Sequence, residues 1–230
     1  FIINLATAGI NTSGEFLQVN QQGLIENFAN NYSKIVNNYQ YYRLLTACFL
    51  HLSFSHIVMN TFSLLIWGSM IETFTGTFTY ALIYLFSGVA GNLFSAVVHA
   101  DMFSQSVGAS GCIMGITASL VGILILNWMA MSEGQLREHR GVMTCMVIMI
   151  VVFTLMFTLV PAQKSGSASR TDNYAHLGGF LGGFFLSMAI GKVYGRNDGP
   201  YEKKVRIAGW VLAAILILST LIPLLKPSRP

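Results

Sequence analysis

Six stretches of the chain contain no Asp, Glu, Lys or Arg and are rich in Leu, Ile, Val, Phe and Ala. Each reaches the roughly 17–25 residues that an apolar helix needs to cross a bilayer. Apolar and polar residues do not alternate within them, as they would in the strands of a membrane barrel, which are about ten residues long. The pattern therefore predicts an all-α fold, a polytopic bundle of membrane-spanning helices. The stretches are residues 44–71, 73–100, 102–132, 141–163, 173–191 and 207–225.

The chain before the first stretch divides into two parts. Residues 1–10 are apolar but too short to span, and we expect them to be the end of a truncated first transmembrane helix. The alternative is a segment at the membrane interface. In residues 11–43, apolar side chains recur at helical spacing from Leu24 to Tyr39. This predicts an extracytoplasmic loop associated with the membrane surface, with a lid packed on the protein itself as the alternative.

The remaining segments form a membrane core and an added helix. We expect residues 44–191 to form a core of five transmembrane helices, residues 192–206 a cytoplasmic loop, and residues 207–225 an additional C-terminal transmembrane helix. The orientation follows from Lys and Arg residues in the segments 129–140 and 192–206, because basic loops favour the cytoplasmic side.

Composition narrows the classes of function. Only 10% of the residues are charged, against about a quarter in ordinary soluble domains. The net charge is +4, but the basic residues lie in short loops rather than in a stripe, so no nucleic-acid partner is expected. The 3 cysteines all fall within apolar stretches, which argues against a disulfide framework. We expect a multi-pass integral protein of the lipid bilayer.

A serine opens the helix predicted from the third stretch. Ser110 follows Gly108 and Ala109 and precedes Gly111. Glycine permits tight turns and close backbone approach, and the N–H groups at a helix start can stabilise an oxyanion. The pattern suits a nucleophile inside a membrane. The same small residues also form packing faces between membrane helices, which is the alternative for this motif alone.

A histidine begins the helix predicted from the fifth stretch. His176 precedes glycines that recur four residues apart, a spacing that lets another helix come very close. The two helices run in the same direction, so we predict that His176 hydrogen-bonds and activates Ser110 near the outer membrane face. Asp172 and Asp101 are expected to be solvated loop charges, which leaves a dyad. The glycine pairs are Gly178/Gly182, Gly179/Gly183 and, after the serine, Gly111/Gly115.

A second polar cluster lies in the first stretch. His56 and Asn60 share a helix face and could donate hydrogen bonds to a developing oxyanion; hydrogen bonding between helices is the alternative. His51 lies five residues before His56, which does not match the i, i+4 histidine pair of a zinc-protease helix, and no Glu lies between them. No metal site and no cofactor are predicted.

Taken together, these residues resemble the rhomboid family of intramembrane serine proteases. The likeness runs in order from about Tyr42 to Gly191. The matching segments are Tyr42-Arg43, His51 with His56 and Asn60, Gly68-Ser69-Met70-Ile71-Glu72 with Gly76, Gly108-Ala109-Ser110-Gly111, and Ala175-His176-Leu177-Gly178-Gly179 with Gly183.

The resemblance implies a helical core with a Ser–His dyad in a water-filled cavity open to the extracytoplasmic side. It implies that Ser110 is the nucleophile and His176 the general base and acid, with His56 and Asn60 as oxyanion helpers. The last helix resembles the six-plus-one arrangement of eukaryotic members. The positions that look structural in the family pattern are Arg43, His51, Glu72, Gly108, Gly111, Gly179 and Gly183.

The expected function is an intramembrane serine endopeptidase that cleaves transmembrane segments of other membrane proteins near the extracytoplasmic face. A loop at residues 160–173 is expected to gate entry. Met114 departs from the family pattern, which has Tyr or Phe four residues after the nucleophile, although a thioether also contacts aromatic rings.

Two other functions are retained as alternatives. One is a catalytically inactive rhomboid-like protein that binds membrane proteins or serves as a subunit of a complex. The other is a transporter or channel, for which the sequence shows no inverted repeat. The expected location is the plasma membrane or a membrane of the secretory pathway rather than the mitochondrion.

Overall fold

The computed structural model describes residues 1–12, 16–26, 28–99, 105–133, 172–195 and 197–225, with six isolated positions between 141 and 152. In chain order its elements are α1 (Ile2–Ala8), α2 (Gln21–Glu26), β1 (Asn30–Asn31), α3 (Tyr32–Asn37), α4 (Arg43–Thr46), a 3₁₀ turn (Ala47–Phe49), α5 (Phe54–Ser63), a π-helical turn (Leu64–Gly68), α6 (Ser69–Thr75), α7 (Thr77–Val98), β2 (Gln105–Ser106), α8 (Ser110–Leu126), α9 (Trp128–Glu133), α10 (Asn173–Ile190) and α11 (Pro200–Leu225).

The N-terminal segment packs on the loops that precede α5 and α8. Val19 and Leu24 are buried against a group of apolar side chains that includes Leu52 and Val107. The N–H of Val19 donates to the carbonyl of Leu52 at 2.7 Å. β1 and β2 pair antiparallel, with Asn30 opposite Ser106. This small sheet, which the apolar pattern did not predict, ties the N-terminal segment to the residues just before Ser110.

The first apolar stretch is not one continuous helix: after α4 and the 3₁₀ turn the chain leaves the helical conformation. The long helix begins only at Phe54, because the side chain of Ser53 caps it by accepting from the N–H of His56 at 3.3 Å. α5, the π-helical turn and α6 then continue to Thr75, and Gly76 (φ +79°) ends the helix. We call Phe54–Thr75 the composite helix. It lies later in the chain than residues 44–71 and includes the charged Glu72, which a search for charge-free stretches could not include.

Within the described residues, three helices are long and apolar enough to cross a membrane by length and composition: the composite helix, α7 and α11. α8 is a shorter apolar helix. The fourth predicted span, residues 141–163, lies largely outside the described residues, as does most of the loop at 160–173. The described part of the chain confirms the predicted all-α membrane bundle.

Glycines bring the backbones of the central helices together. If Gly178 of α10 had a Cβ, that atom would lie 2.9 Å from the carbonyl oxygen of Ala90 and 3.0 Å from the Cα of Gly91, both in α7. At Gly209 of α11, a Cβ would lie 2.7 Å from the amide nitrogen of Ala189 in α10. α10 therefore contacts α7 and α11 backbone to backbone, which only residues without a side chain allow.

Candidate active site

Ser110 begins α8 after a turn that requires glycine. Gly108 has φ +125°, a conformation that residues with a side chain rarely adopt. Its N–H donates to the carbonyl of Ala47 at 2.9 Å, which fixes the turn to the 3₁₀ segment before α5. Ala109 is the N-cap residue of α8 and makes no side-chain cap. Ser110 is thus held at the first position of an apolar helix, half-buried.

His176 lies in the first turn of α10 and is buried. Its Nε2 is 2.8 Å from the Oγ of Ser110, a hydrogen bond between residues 66 positions apart in the chain. Its Nδ1 is buried and has no hydrogen-bond partner among the described residues. The contact matches the separation that an activated nucleophile and its base require.

The closeness of α8 and α10 depends on the glycine pairs seen in the sequence. A Cβ on Gly179 would lie 2.8 Å from the carbonyl carbon of Gly111 and 3.0 Å from its Cα. A Cβ on Gly183 would overlap the backbone of Gly115. This face of α10 is therefore the one that brings the imidazole of His176 to the start of α8.

His56 and Asn60 face the turn before Ser110. A Cβ on Gly108 would lie 2.7 Å from Cε1 and 2.8 Å from Nε2 of the His56 ring, and 3.5 Å from Nδ2 of Asn60. A side chain at position 108 would therefore crowd the His56 ring, while the distance to Asn60 is that of an ordinary van der Waals contact. Both side chains, which the sequence predicted to share a helix face, thus lie beside the residue two positions before Ser110.

One nitrogen of each of these two side chains lies beside Gly108. The N–H of Leu52 donates to Nδ1 of His56 at 3.5 Å, so Nε2 is the ring nitrogen that carries the proton. Nδ2 of Asn60 is buried and has no hydrogen-bond partner among the described residues. A buried amide without a partner costs stability, so its presence here calls for an explanation. His51 packs edge-on against His56, with ring centroids 5.2 Å apart.

Arg43 and Glu72 make contacts away from the serine. Arg43 is buried, and it donates from Nε to the side-chain oxygen of Gln40 (2.6 Å) and from Nη1 to the carbonyl of Ala29 (3.0 Å). Glu72 accepts from the hydroxyl of Thr77 at 2.7 Å, across the junction of α6 and α7. Arg43 therefore ties the N-terminal segment to α4, and Glu72 joins two successive helices.

Asp172 is not the solvated loop charge that the sequence suggested. Its Oδ1 caps α10 by accepting from the N–H of Ala175 at 2.9 Å, and its Oδ2 accepts from the hydroxyl of Ser95 in α7. No hydrogen bond is formed between its carboxylate and the ring of His176. Nothing local in the sequence marks Ser95 as a site residue, because its partner lies 77 positions later. Asp101 lies outside the described residues.

Met114 lies one turn after Ser110 in α8 and is buried.

Within the described residues, no cluster of three or more His, Cys, Asp or Glu side chains is arranged to hold a metal ion. The site therefore consists of a serine, a histidine and two further polar donors, set between apolar helices.

The fold and this geometry define a polytopic helical membrane protein with a serine and a histidine in contact between two helices. A family model described as "Rhomboid domain" matches residues 38–193. The chain belongs to the rhomboid family and is an integral membrane protein.

Named relatives come from plants, protists and bacteria. "RHOMBOID-like protein 6, mitochondrial" of Arabidopsis thaliana is 31% identical over 181 residues, which are 76% of this chain and 54% of that protein. "Rhomboid-like protease 1" of Toxoplasma gondii is 34% identical over 178 residues (77% and 56%). "Rhomboid protease GluP" of Bacillus subtilis is 29% identical over 182 residues (78% and 30%). The chain spans about half the length of most of the curated relatives it matches. The family thus includes proteins named proteases as well as proteins named only rhomboid-like.

Proposed function

We propose that this protein is an intramembrane serine endopeptidase that cleaves transmembrane segments of other membrane proteins near the extracytoplasmic face. The observation that carries the proposal is the 2.8 Å contact between Nε2 of His176 and Oγ of Ser110. Two relatives that are named proteases support it.

The reaction begins with attack on a substrate carbonyl. His176 removes the proton from the Ser110 hydroxyl as the oxygen attacks the carbonyl carbon. The negative charge that develops on the carbonyl oxygen is stabilised by Nε2–H of His56, Nδ2–H of Asn60 and the backbone N–H of Ser110. That last group is free to donate because the first N–H groups of a helix have no partner within it.

The second half of the reaction releases the products. His176, now protonated, gives its proton to the amine as the peptide bond breaks, and an acyl-enzyme on Ser110 remains. Water then attacks the ester with His176 again as base, which restores the hydroxyl. Asn60 fits this scheme because its amide nitrogen, which has no partner among the described residues, gains one when an oxyanion forms.

The substrates follow from the physics of a helix in lipid. The backbone of a transmembrane helix is hydrogen-bonded internally, so a scissile carbonyl becomes accessible only where the helix unwinds. We therefore expect cleavage close to Gly, Pro or other small residues.

The location of the protein is proposed as the plasma membrane or a membrane of the secretory pathway. One relative has "mitochondrial" in its name. Fluorescence microscopy of the tagged full-length protein, compared with organelle markers, distinguishes the plasma membrane and the secretory pathway from the mitochondrion.

A second candidate is a rhomboid-like protein without protease activity that binds membrane proteins. Met114 favours it, because this position in α8 has no aromatic ring to stack on the imidazole. The two candidates make opposite predictions for the reactivity of Ser110.

The deciding experiment is labelling with a fluorophosphonate probe, together with cleavage of a reporter transmembrane segment. We expect the wild type to be labelled and active, and Ser110→Ala and His176→Ala to lose both properties. Ser119→Ala is the matched control, since this buried serine of the same helix donates only to its own helix, at Ile116 (2.6 Å). Labelling that survives in Ser110→Ala, or a folded wild type that is neither labelled nor active, would refute the protease.

A further inference from the structure

A hydrogen bond joins the end of α7 to the start of the helix that carries His176. Ser95 is buried near the end of α7, and its hydroxyl donates to Oδ2 of Asp172, because a carboxylate can only accept. Nδ1 of His99 lies 3.3 Å from the same hydroxyl oxygen. With the hydroxyl proton directed at Asp172, His99 donates to Ser95.

The same aspartate organises the first turn of α10. Its Oδ1 accepts from the N–H of Ala175 at 2.9 Å, and its carbonyl accepts from the N–H of His176 at 3.1 Å. One residue therefore links α7 to the backbone of His176. Displacement of the carboxylate would move the whole turn that carries the imidazole.

Few other side-chain contacts fix this turn. Among the described residues, two side-chain hydrogen bonds join the first turn of α10 to another helix, Ser95–Asp172 and Ser110–His176. The ring of Tyr174 adds contacts with Phe94 and His99, at centroid distances of 6.5 and 5.2 Å. Glycine contacts also reach the backbone of this turn: a Cβ on Gly91 of α7 would lie 3.3 Å from the carbonyl carbon of Ala175, and a Cβ on Gly111 of α8 would lie 3.3 Å from its carbonyl oxygen. They set how close the helices come and which face of α10 meets α8, but a glycine supplies no side-chain hydrogen bond to fix this turn.

We propose that Ser95 and Asp172 are positioning residues that hold His176 at hydrogen-bond distance from Ser110. Neither residue touches the reacting atoms. The proposal rests on the proposed protease function, and it makes the position of the base depend on a bond between α7 and α10 rather than on a third residue bonded to the imidazole.

The variants separate the bond from the helix cap. Ser95→Ala removes the bond between the helices and leaves the cap on Ala175. Asp172→Ala removes both. Asp172→Asn keeps an oxygen for Ala175 and supplies an amide N–H that can donate to Ser95. Ser87→Ala is the matched control, since Ser87 is a buried serine of α7 whose hydroxyl donates to its own helix at Ile83 (2.6 Å).

The test is steady-state cleavage of a reporter transmembrane segment by the purified full-length chain, with melting temperatures to verify that each variant is folded. We expect Ser95→Ala and Asp172→Ala to lower kcat about 10- to 100-fold, because a displacement of about 1 Å has such effects on catalysis. KM should stay near the wild-type value. Asp172→Asn should recover most of the rate, and Ser87→Ala should match the wild type.

The outcomes distinguish this proposal from the protease itself. If the wild type reacts with a fluorophosphonate and folded Ser95→Ala keeps its kcat, the positioning role is wrong while the protease stands. A raised KM with an unchanged kcat, or Asp172→Asn as slow as Asp172→Ala, also rejects positioning. A wild type that neither reacts nor cleaves rejects both proposals. Asp172→Ala also loses a helix cap and could unfold for that reason. In that case the kcat of the folded Ser95→Ala variant decides whether the positioning role is right.

Discussion

Two helical regions supply the polar groups around the Ser110 hydroxyl, and they are packed very differently. In the region of α7, α8 and α10, glycines bring backbones into direct contact, and 50% of the apolar window of α7 is buried within the protein. The composite helix carries His56 and Asn60, and only 17% of its apolar window is buried within the protein. A π-helical turn interrupts its α-helix.

The difference in packing follows from the geometry that each region has to maintain. A proton transfer between Ser110 and His176 tolerates little change in the distance between the two side chains. Close-packed backbones keep that distance nearly constant. The composite helix presents most of its surface outward, with Met59, Phe62 and Leu65 more than half exposed. Its site residues are placed by the Ser53 cap, the π-helical turn and the contact with Gly108. Substitutions should therefore unfold the first region and re-aim side chains in the second.

The largest expected effect is that of a methyl group added in the close-packed region. Gly183→Ala forces a Cβ into the backbone of Gly115, which cannot move as a flexible side chain would, and should destabilise the protein by about 3 kcal/mol or more. Thermal unfolding of the purified protein measures the change.

The matched change in the composite helix is Gly68→Ala. There the new Cβ would lie 2.7 Å from the hydroxyl of Tyr80, the far end of a side chain that can shift. Because Ala also favours a helix over Gly, the net change should be below about 1 kcal/mol. Equal losses of stability in the two variants would contradict the comparison.

Deletion of Ile66 should re-aim the composite helix without unfolding it. Ile66 is an exposed residue within the π-helical turn. Removing one residue turns the preceding helix by about 100° and shortens it by about 1.5 Å. His56 and Asn60 would then leave Gly108, and reporter cleavage should fall at least about 100-fold.

The control for this deletion is Ile66→Ala, which keeps the register of the helix. It should retain cleavage close to that of the wild type. If both variants cleave equally well, the π-helical turn does not determine where the two donors point.

Asn60→Ala should slow catalysis and leave stability unchanged or slightly raised. Its buried Nδ2 has no partner among the described residues, so truncation breaks no bond there. Loss of one oxyanion donor lowers kcat about 100- to 1,000-fold. Steady-state cleavage and the melting temperature measure the two effects separately.

Asn92→Ala, in the close-packed region, should behave in the opposite way. The Nδ2 of Asn92 donates to the carbonyl of Leu44 at 2.8 Å. Its loss should therefore lower the free energy of unfolding by about 1–3 kcal/mol, with a smaller effect on kcat than that of Asn60→Ala. The comparison fails if Asn60→Ala proves the less stable variant.

The smallest effect concerns the loop that joins α10 and α11, outside the membrane-spanning segments. Nε of Arg206 donates to Oδ2 of Asp198 at 2.5 Å, and this bond lowers the pKa of Asp198 below its ordinary value. As the pH falls, the unfolded chain takes up this proton first. The stabilisation is thus fully present above about pH 4 and is lost as the pH falls through the lowered pKa.

Asp198→Asn should consequently reduce stability at pH 7 by less than about 1 kcal/mol, since the pair is partly exposed. Below about pH 4 the melting curves of variant and wild type should converge. A difference that persists at low pH would show that the carboxylate charge is not the source of the effect.

Much of this protein follows from its sequence alone. Long charge-free stretches predict membrane helices, because in lipid every backbone polar group has to be bonded within the helix. Ser110, His176, His56 and Asn60 could be chosen by residue type, since polar side chains in such stretches are costly and few. The glycine spacing in α8 and α10 predicted close approach, because it is a local, periodic property of a helix face.

Only the tertiary structure decided which surfaces meet. Gly179 and Gly183 contact α8, whereas Gly178 contacts α7, and no local signal assigns the two pairs to different neighbours. The bond between Ser95 and Asp172 joins residues 77 positions apart, so the sequence placed Asp172 wrongly among solvated charges. The start of the composite helix at Phe54 was likewise not predicted, since hydropathy records how apolar a stretch is and not where a serine caps a helix. Such features depend on contacts between distant residues, which exist only once the chain has folded.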